Sequence, residues 1–217
     1  MKTILIIGMG EFGKHIAKKL HELNNDICIV DIKKDVINAL SNTYENAYIG
    51  NCMQEQTLLD LGVKNYDICI VAISENFQAS LEITSLLKEL GAKYIISKAS
   101  SDVQSKFLRM AGASEVVYPE KDIAEKMAVK CDASNLIDFV KINDEYEITE
   151  IHIPKEWTNK TLSELNLRSK FNINIICVKN GDKVEIPGPS YCFKKDDAVF
   201  LIGNSKVIAK FYKKSRI

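Results

Sequence analysis

A short β-branched run, Ile4-Leu5-Ile6-Ile7, passes straight into Gly8-Met9-Gly10-Glu11-Phe12-Gly13. Apolar residues at helical spacing follow (Ile16, Ala17, Leu20, Leu23), and then a second strand, Ile27-Cys28-Ile29-Val30, ending in Asp31. A glycine loop that leaves a strand, opens a helix and meets an acid at the end of the next strand reads as a βαβ dinucleotide fingerprint. Each part has a physical task. Gly8 permits the tight turn, Gly10 lets a phosphate approach the backbone, and Gly13 lets the helix pack closely on the sheet. Glu11 and Phe12 lie at the helix start, where unpaired N–H groups and the positive dipole end favour an anion. An ionised Asp31 accepts hydrogen bonds only, and so suits both hydroxyls of a ribose. The unit predicts an adenosine-nucleotide site.

The alternation continues downstream. A helical stretch (Val36 to Leu40) leads to a strand near Ala47-Tyr48-Ile49, and a helix over about 54–61 leads to the apolar strand 68–73. Helix 78–90, strand 94–97, helix 103–111 and strand 115–118 complete the series. Strands separated by helices indicate parallel βαβ units with both sheet faces covered. The expected fold class is α/β, a doubly wound parallel Rossmann sheet.

After Pro119 a last helix over about 120–132 is expected to cross over to a second domain, which places the boundary between 1–134 and 135–217. There Glu147-Ile148-Thr149-Glu150-Ile151-His152-Ile153 alternates at period two, which predicts a strand with one polar face. Thr161-Leu162-Ser163-Glu164 reads as a capping box. The runs 173–178 and 183–186 flank Asn180-Gly181, a hairpin signal. Strand 198–202, a break at Gly203-Asn204 and a helix over 205–212 finish a small α+β domain.

Composition narrows the partners. Lys plus Arg and Asp plus Glu are 29 each, leaving no net field to attract nucleic acid or an anionic membrane. The apolar runs are far shorter than the about 20 residues of a spanning helix, so no direct membrane insertion is expected. The stretch after Lys2 stops at the glycine loop and does not read as a signal peptide. Six cysteines occur without a C-x-x-C, three of them (Cys28, Cys69, Cys177) inside apolar strand runs, and His15, His21 and His152 are apart from them. They read as reduced thiols packed as small hydrophobes in a cytoplasmic protein, with no legible zinc site.

A nucleotide-binding Rossmann unit followed by a small α+β domain resembles the RCK family, the regulators of potassium conductance, and in particular the cytosolic subunits of Ktr and Trk potassium uptake systems. The likeness covers essentially the whole chain. It is carried by Gly8–Gly13, the stretch 71–80 (VAISENFQAS), Ile96-Ser97-Lys98-Ala99, Gly112-Ala113, the stretch 117–122 (VYPEKD), the stretch 165–175 and the late Lys195-Asp196-Asp197-Ala198. The resemblance implies that Asp31 holds the ribose, that Asn51 and Asn76 lie at strand ends near the adenosine, and that Lys98 faces a phosphate. It implies that Glu120 helps hold a divalent cation (Mg or Ca) against the phosphates, although a Glu in a first helical turn also complements the macrodipole on its own. In the second domain it implies cyclic di-AMP at a dimer interface, with Arg168 on a phosphate and Asn174 and Pro187 or Pro189 shaping the pocket. Homodimers would assemble into an octameric ring at the inner face of the membrane, beneath a separate potassium-conducting subunit.

One position departs from the family pattern. Ktr-type members carry an arginine between the second and third glycines, and here that place is taken by Glu11. A carboxylate beside a triphosphate is repulsive unless a cation intervenes, so ATP, ADP, AMP and NAD(H) all remain open. A different reading is a small NAD(P)-linked oxidoreductase or redox sensor, and a third is a nucleotide-binding adaptor without a channel. The Tyr/Lys pairs four apart that a short-chain dehydrogenase needs are Tyr94/Lys98 and Tyr191/Lys195. The first is expected on a strand, where four residues span roughly 13 Å, and the second in a loop of the other domain. A regulatory, non-enzymatic role is the expectation.

Overall fold

Six strands of the first half pair side by side, and the residues of the central ones alternate between two buried faces. The strands are β1 (Thr3–Ile7), β2 (Asp26–Asp31), β3 (Asn46–Ile49), β4 (Ile68–Val71), β5 (Ile95–Lys98) and, at one edge, β6 (Glu115–Val117). All pairings are parallel, in the order β3-β2-β1-β4-β5-β6. Leu5 and Ile7 of β1 join Cys28, Val30, Cys69, Val71 and Ile83 in one core, whereas Ile4 and Ile6 join Ala17, Ile27, Ile29 and Ile70 in another. The helices α1 (Glu11–Glu22), α2 (Lys34–Leu40), α3 (Glu55–Leu61), α4 (Phe77–Glu89) and α5 (Asp102–Met110) form the connections. This is the doubly wound sheet that the alternation predicts, with its strand order reversing between β1 and β4.

The computed structural model describes residues 1–212, which form two compact units, Met1–Lys121 and the described residues from Asp122 onward. They part inside α6 (Pro119–Asp132). The second unit is a five-stranded antiparallel sheet in the order β10-β9-β11-β8-β7. Its strands are β7 (Leu136–Lys141), β8 (Tyr146–His152), β9 (Asn174–Asn180), β10 (Lys183–Glu185) and β11 (Ala198–Asn204), with α7 (Leu162–Leu165), α8 (Leu167–Phe171) and α9 (Ser205–Tyr212). Ile151, Trp157, Ile173, Phe193, Val199, Leu201 and Ile208 form its core.

Several local expectations shift. The strand expected over 68–73 ends at Val71, because the chain turns out of the sheet where it meets the glycine loop: a Cβ on Gly8 (φ +94°) would lie 2.9 Å from Ile73 Cγ1. β7 had no sequence signal of its own, since a register shift between Leu136 and Asp138 interrupts its period of two. β8 alternates as expected, but Glu147 and Thr149 face inward with Ile151, and the Thr149 hydroxyl donates to the Glu147 carboxylate at 3.0 Å. The capping box at Thr161 and Glu164 forms. In the hairpin Asn180 pairs with Lys183, so the turn is Gly181-Asp182, with Gly181 at φ +57°. Gly203-Asn204 is no break and belongs to β11.

Candidate functional site

At the carboxyl ends of β1 and β4, where the strand order reverses, a cavity of about 470 Å³ opens. Gly8, Gly10, Glu11, Phe12, Asp31, Asn51, Asn76 and Lys98 all line it. Crevices at such switch points are where doubly wound sheets bind ligands. The glycine loop is built for close approach on two sides. A Cβ on Gly13 would stand 2.1 Å from the Gly8 carbonyl oxygen, so only glycine lets α1 sit this near the loop. A Cβ on Gly10 would meet nothing within 4 Å, which is the open space a phosphate needs above the start of α1.

Asp31 ends β2 with both carboxylate oxygens engaged. The Met9 N–H donates to Oδ2 at 2.7 Å and the Lys33 N–H to Oδ1 at 2.8 Å. The carboxylate thus pins the glycine loop, and the second lone pair of each oxygen remains able to accept a further hydrogen bond. Asn51 accepts from the Met53 N–H at 3.1 Å and Asn76 caps α4 by accepting from the Ala79 N–H at 3.0 Å. Both side-chain oxygens are therefore fixed, and among the described residues each amide NH2 has no partner.

Lys98, at the end of β5, is only 7% exposed, a costly place for an ammonium without compensation. Compensation comes from three sides. Its Nζ donates to Ser74 Oγ at 2.9 Å and to Glu120 Oε1 at 2.5 Å, and lies 5.5 Å from the centroid of the Phe12 ring. The Lys98 ammonium holds the Glu120 carboxyl below the usual carboxylate range. Glu120 is 60% exposed in the first turn of α6. Among the described residues no group of three or more His, Cys, Asp or Glu is arranged to hold a metal ion. Glu11, at the rim of the cavity, is 83% exposed and pairs with Lys14 at 3.1 Å.

Arg168 and Asn174 do not line this cavity. They lie in the second unit, Arg168 in α8 and Asn174 at the head of β9, both exposed. Asn166 and Asn172, left-handed at φ +47° and +55°, bracket α8 between them. The Tyr/Lys pairs assemble no proton relay. Tyr94 precedes β5 and bonds Glu115 at 3.1 Å, while Lys98 ends that strand, and Tyr191 bonds the buried Asp197 at 2.9 Å. Lys33 lines the crevice without having been singled out in sequence, and Ser74 and Glu75, quoted only as part of the stretch 71–80, line it too. Ser74 and Glu75 follow β4 as Asn76 does, so the rule that points to strand ends was their signal.

The fold and crevice define a Rossmann-type protein with a small appended α+β unit. Comparison with known proteins makes this specific. Family models for the TrkA-N domain and the TrkA-C domain match residues 4–119 and 148–216. The Ktr system potassium uptake protein A of Bacillus subtilis (strain 168) is 35% identical over 97% of this chain and 95% of its own length. The Ktr system potassium uptake protein C of the same organism is 35% identical over 98% of this chain and 97% of its own. The chain belongs to the RCK family, with TrkA-N and TrkA-C domains. Among solved structures, the GsuK RCK domain superposes with a TM-score of 0.67 at 21% identity over 96% of this chain. This chain spans 46% of that one, less than half of its length. The GsuK channel bound to NAD superposes with a TM-score of 0.68 at 21% identity, over 96% of this chain and 38% of that one.

Proposed function

We propose that this chain is a regulatory subunit of a Ktr-type potassium uptake system, gating a separate membrane subunit in response to an adenine nucleotide. The observation that carries the reading is the crevice itself: open space above Gly10, a ribose-type acid in Asp31, and a buried Lys98 ammonium on its wall. The Ktr names of relatives matched along nearly their whole length support the potassium role, as the NAD title of a neighbour of the same fold supports the nucleotide. The residues fit such a ligand. Asp31 would take the ribose, the amides of Asn51 and Asn76 would offer donors, and Lys98 with the α1 N-terminus would meet phosphate. A divalent cation, Mg or Ca, would take Glu120 as its protein carboxylate together with phosphate oxygens, and Glu120 would then exchange Lys98 for the cation.

Exposed groups are compatible with a finer assembly. No residue of α6 is buried, and Ile123 and Met127 stand 64% and 52% exposed. Val103, Phe107 and Met110 are exposed on α5. Such apolar faces suit contact between copies, in keeping with a homodimer within an octameric ring. In the second unit, an Arg168 guanidinium without a side-chain partner among the described residues is suited to a phosphate, in keeping with cyclic di-AMP held by Arg168 and Asn174. Among the described residues no helix is long and apolar enough to cross a membrane, which suits a cytoplasmic place at the inner face of the membrane through the channel subunit. The reading is non-enzymatic.

The test is potassium flux through a Ktr-type membrane subunit in proteoliposomes, with and without this chain, ADP, ATP or NAD. Flux is expected to depend on the chain and on nucleotide, and the nucleotide dependence is expected to vanish in Asp31→Ala. Flux indifferent to the chain would overturn the reading.

A further inference from the structure

The charges around the crevice are unusual for a polyphosphate site. The ionisable side chains lining it are Glu11, Asp31, Glu75, Lys33 and Lys98, three acids against two bases. Lys98, the buried base, is already paired with Glu120. Asp31 is fixed at the ribose end by the Met9 and Lys33 N–H groups. That leaves Glu75 on the loop after β4 and Glu11 after β1, the latter paired with the exposed Lys14, one on each side of the point where the strand order reverses. Glu11 is also the first residue of α1, so a carboxylate already complements the dipole end that would receive a phosphate.

We propose that Glu11 and Glu75 are specificity-determining residues that favour an adenine dinucleotide over nucleotides with a free terminal phosphate. In a dinucleotide both phosphates are bridged, and each carries a single charge. A terminal phosphate adds a second charge on one group, and a triphosphate adds most. Each added charge meets two like-charged carboxylates, while the buried Lys98 is held by Glu120 and the other lysines near by, Lys14 and Lys33, are exposed and screened by solvent. The inference rests on the reading of the crevice as an adenine-nucleotide site. It makes Lys98 sufficient for a bridged diphosphate, and makes a triphosphate depend on a divalent cation.

Isothermal titration of the full chain with NAD, ADP and ATP in the presence of a chelator tests this, on wild type, Glu11→Gln, Glu11→Arg and Glu75→Gln. Both side chains are exposed, and melting curves check that each variant folds. Wild type is expected to bind NAD about tenfold or more tightly than ATP, with ADP between. Glu11→Arg is expected to raise ATP affinity about tenfold while NAD changes by less than about threefold. The two Gln variants are expected to move the ATP/NAD ratio in the same direction by less. ATP binding as tightly as NAD to wild type, or a ratio unmoved by all three substitutions, would overturn the proposal. Absence of binding by all three ligands would overturn the adenine-nucleotide reading beneath it.

Discussion

Gly10 and Gly13 stand three residues apart in one loop and answer to different constraints. At Gly13 the limit is internal, since a methyl group would overlap the Gly8 carbonyl. Gly13→Ala is expected to cost about 3 kcal/mol in urea denaturation, at the upper end for overpacking. At Gly10 the backbone is ordinary (φ −68°) and the space is empty. Gly10→Ala is expected to leave stability within about 0.5 kcal/mol of wild type yet to weaken nucleotide binding, because its methyl group would enter the space left for phosphate. Loss of stability without loss of binding at Gly10 would contradict the assignment. Asp31 combines both kinds of task, holding the loop through Met9 while presenting its remaining lone pairs to the crevice. Its place was legible from the fingerprint. Its grip on Met9 was not, because that bond depends on how the loop folds back over β2.

Among the elements, β8 and the turn leading into β11 carry buried polar groups that the period-two rule would send outward. The Asp197 carboxylate, fully buried, accepts from Asn180 Nδ2 at 2.7 Å, Tyr191 Oη at 2.9 Å and the Lys194 N–H at 2.8 Å. Burial, with that Asp197 bond second, pushes the Tyr191 hydroxyl up to about 12. Asp197→Ala leaves the Asn180 and Tyr191 groups without their acceptor, and is expected to cost about 3 kcal/mol in urea denaturation. A loss below about 1 kcal/mol would mean that the network contributes little. Ends of elements also set the response to pH. Asp67 is held below its ordinary 3.8 chiefly by the Thr3 N–H, and Asp138 chiefly by Lys126. Glu120 is held below its ordinary 4.5 chiefly by Lys98, and Glu164 chiefly by the Thr161 N–H of the capping box. Lowered folded values mean that the native state binds fewer protons than the unfolded chain as pH falls past 4.5 and 3.8. The stabilisation is therefore complete above those values and lost as pH drops through the lower folded ones. Urea midpoints are expected to stay level from about pH 7 to 5 and to fall below about pH 4. A midpoint rising on acidification through that range would contradict the sign.

At the scale of the whole molecule, the parallel sheet was legible because each βαβ unit writes its own pattern, a strand run followed by a helix and a glycine stop. Asn51, Asn76 and Lys98 were pointed to by the family resemblance, and the structure puts all three in the lining of the crevice. The meeting of Lys98, Ser74 and Glu120 was not legible, because three separate β–α connections supply them and only strand register joins them. The thiols divide similarly. Cys28 and Cys69 are buried as their strands suggest, whereas Cys177 is half-buried and Cys52, outside any strand, is buried. Burial pushes the Cys52 and Cys69 thiols up to about 12. With a disulfide-exchange reagent, Cys131 and Cys192 are expected to react at once in the native protein, and Cys28, Cys52 and Cys69 only on unfolding. Rapid reaction of those three in the folded chain would show that the sheet opens far more readily than its packing implies.

The account rests above all on adenine nucleotide entering the crevice between β1 and β4. The most direct measurement is calorimetric titration of the full chain with NAD and ADP, magnesium present, with Asp31→Ala alongside. The expected result is one nucleotide bound per chain and loss of that binding in the variant, with the variant still folded. Absence of binding to wild type, or equal affinity in Asp31→Ala, would contradict the central claim.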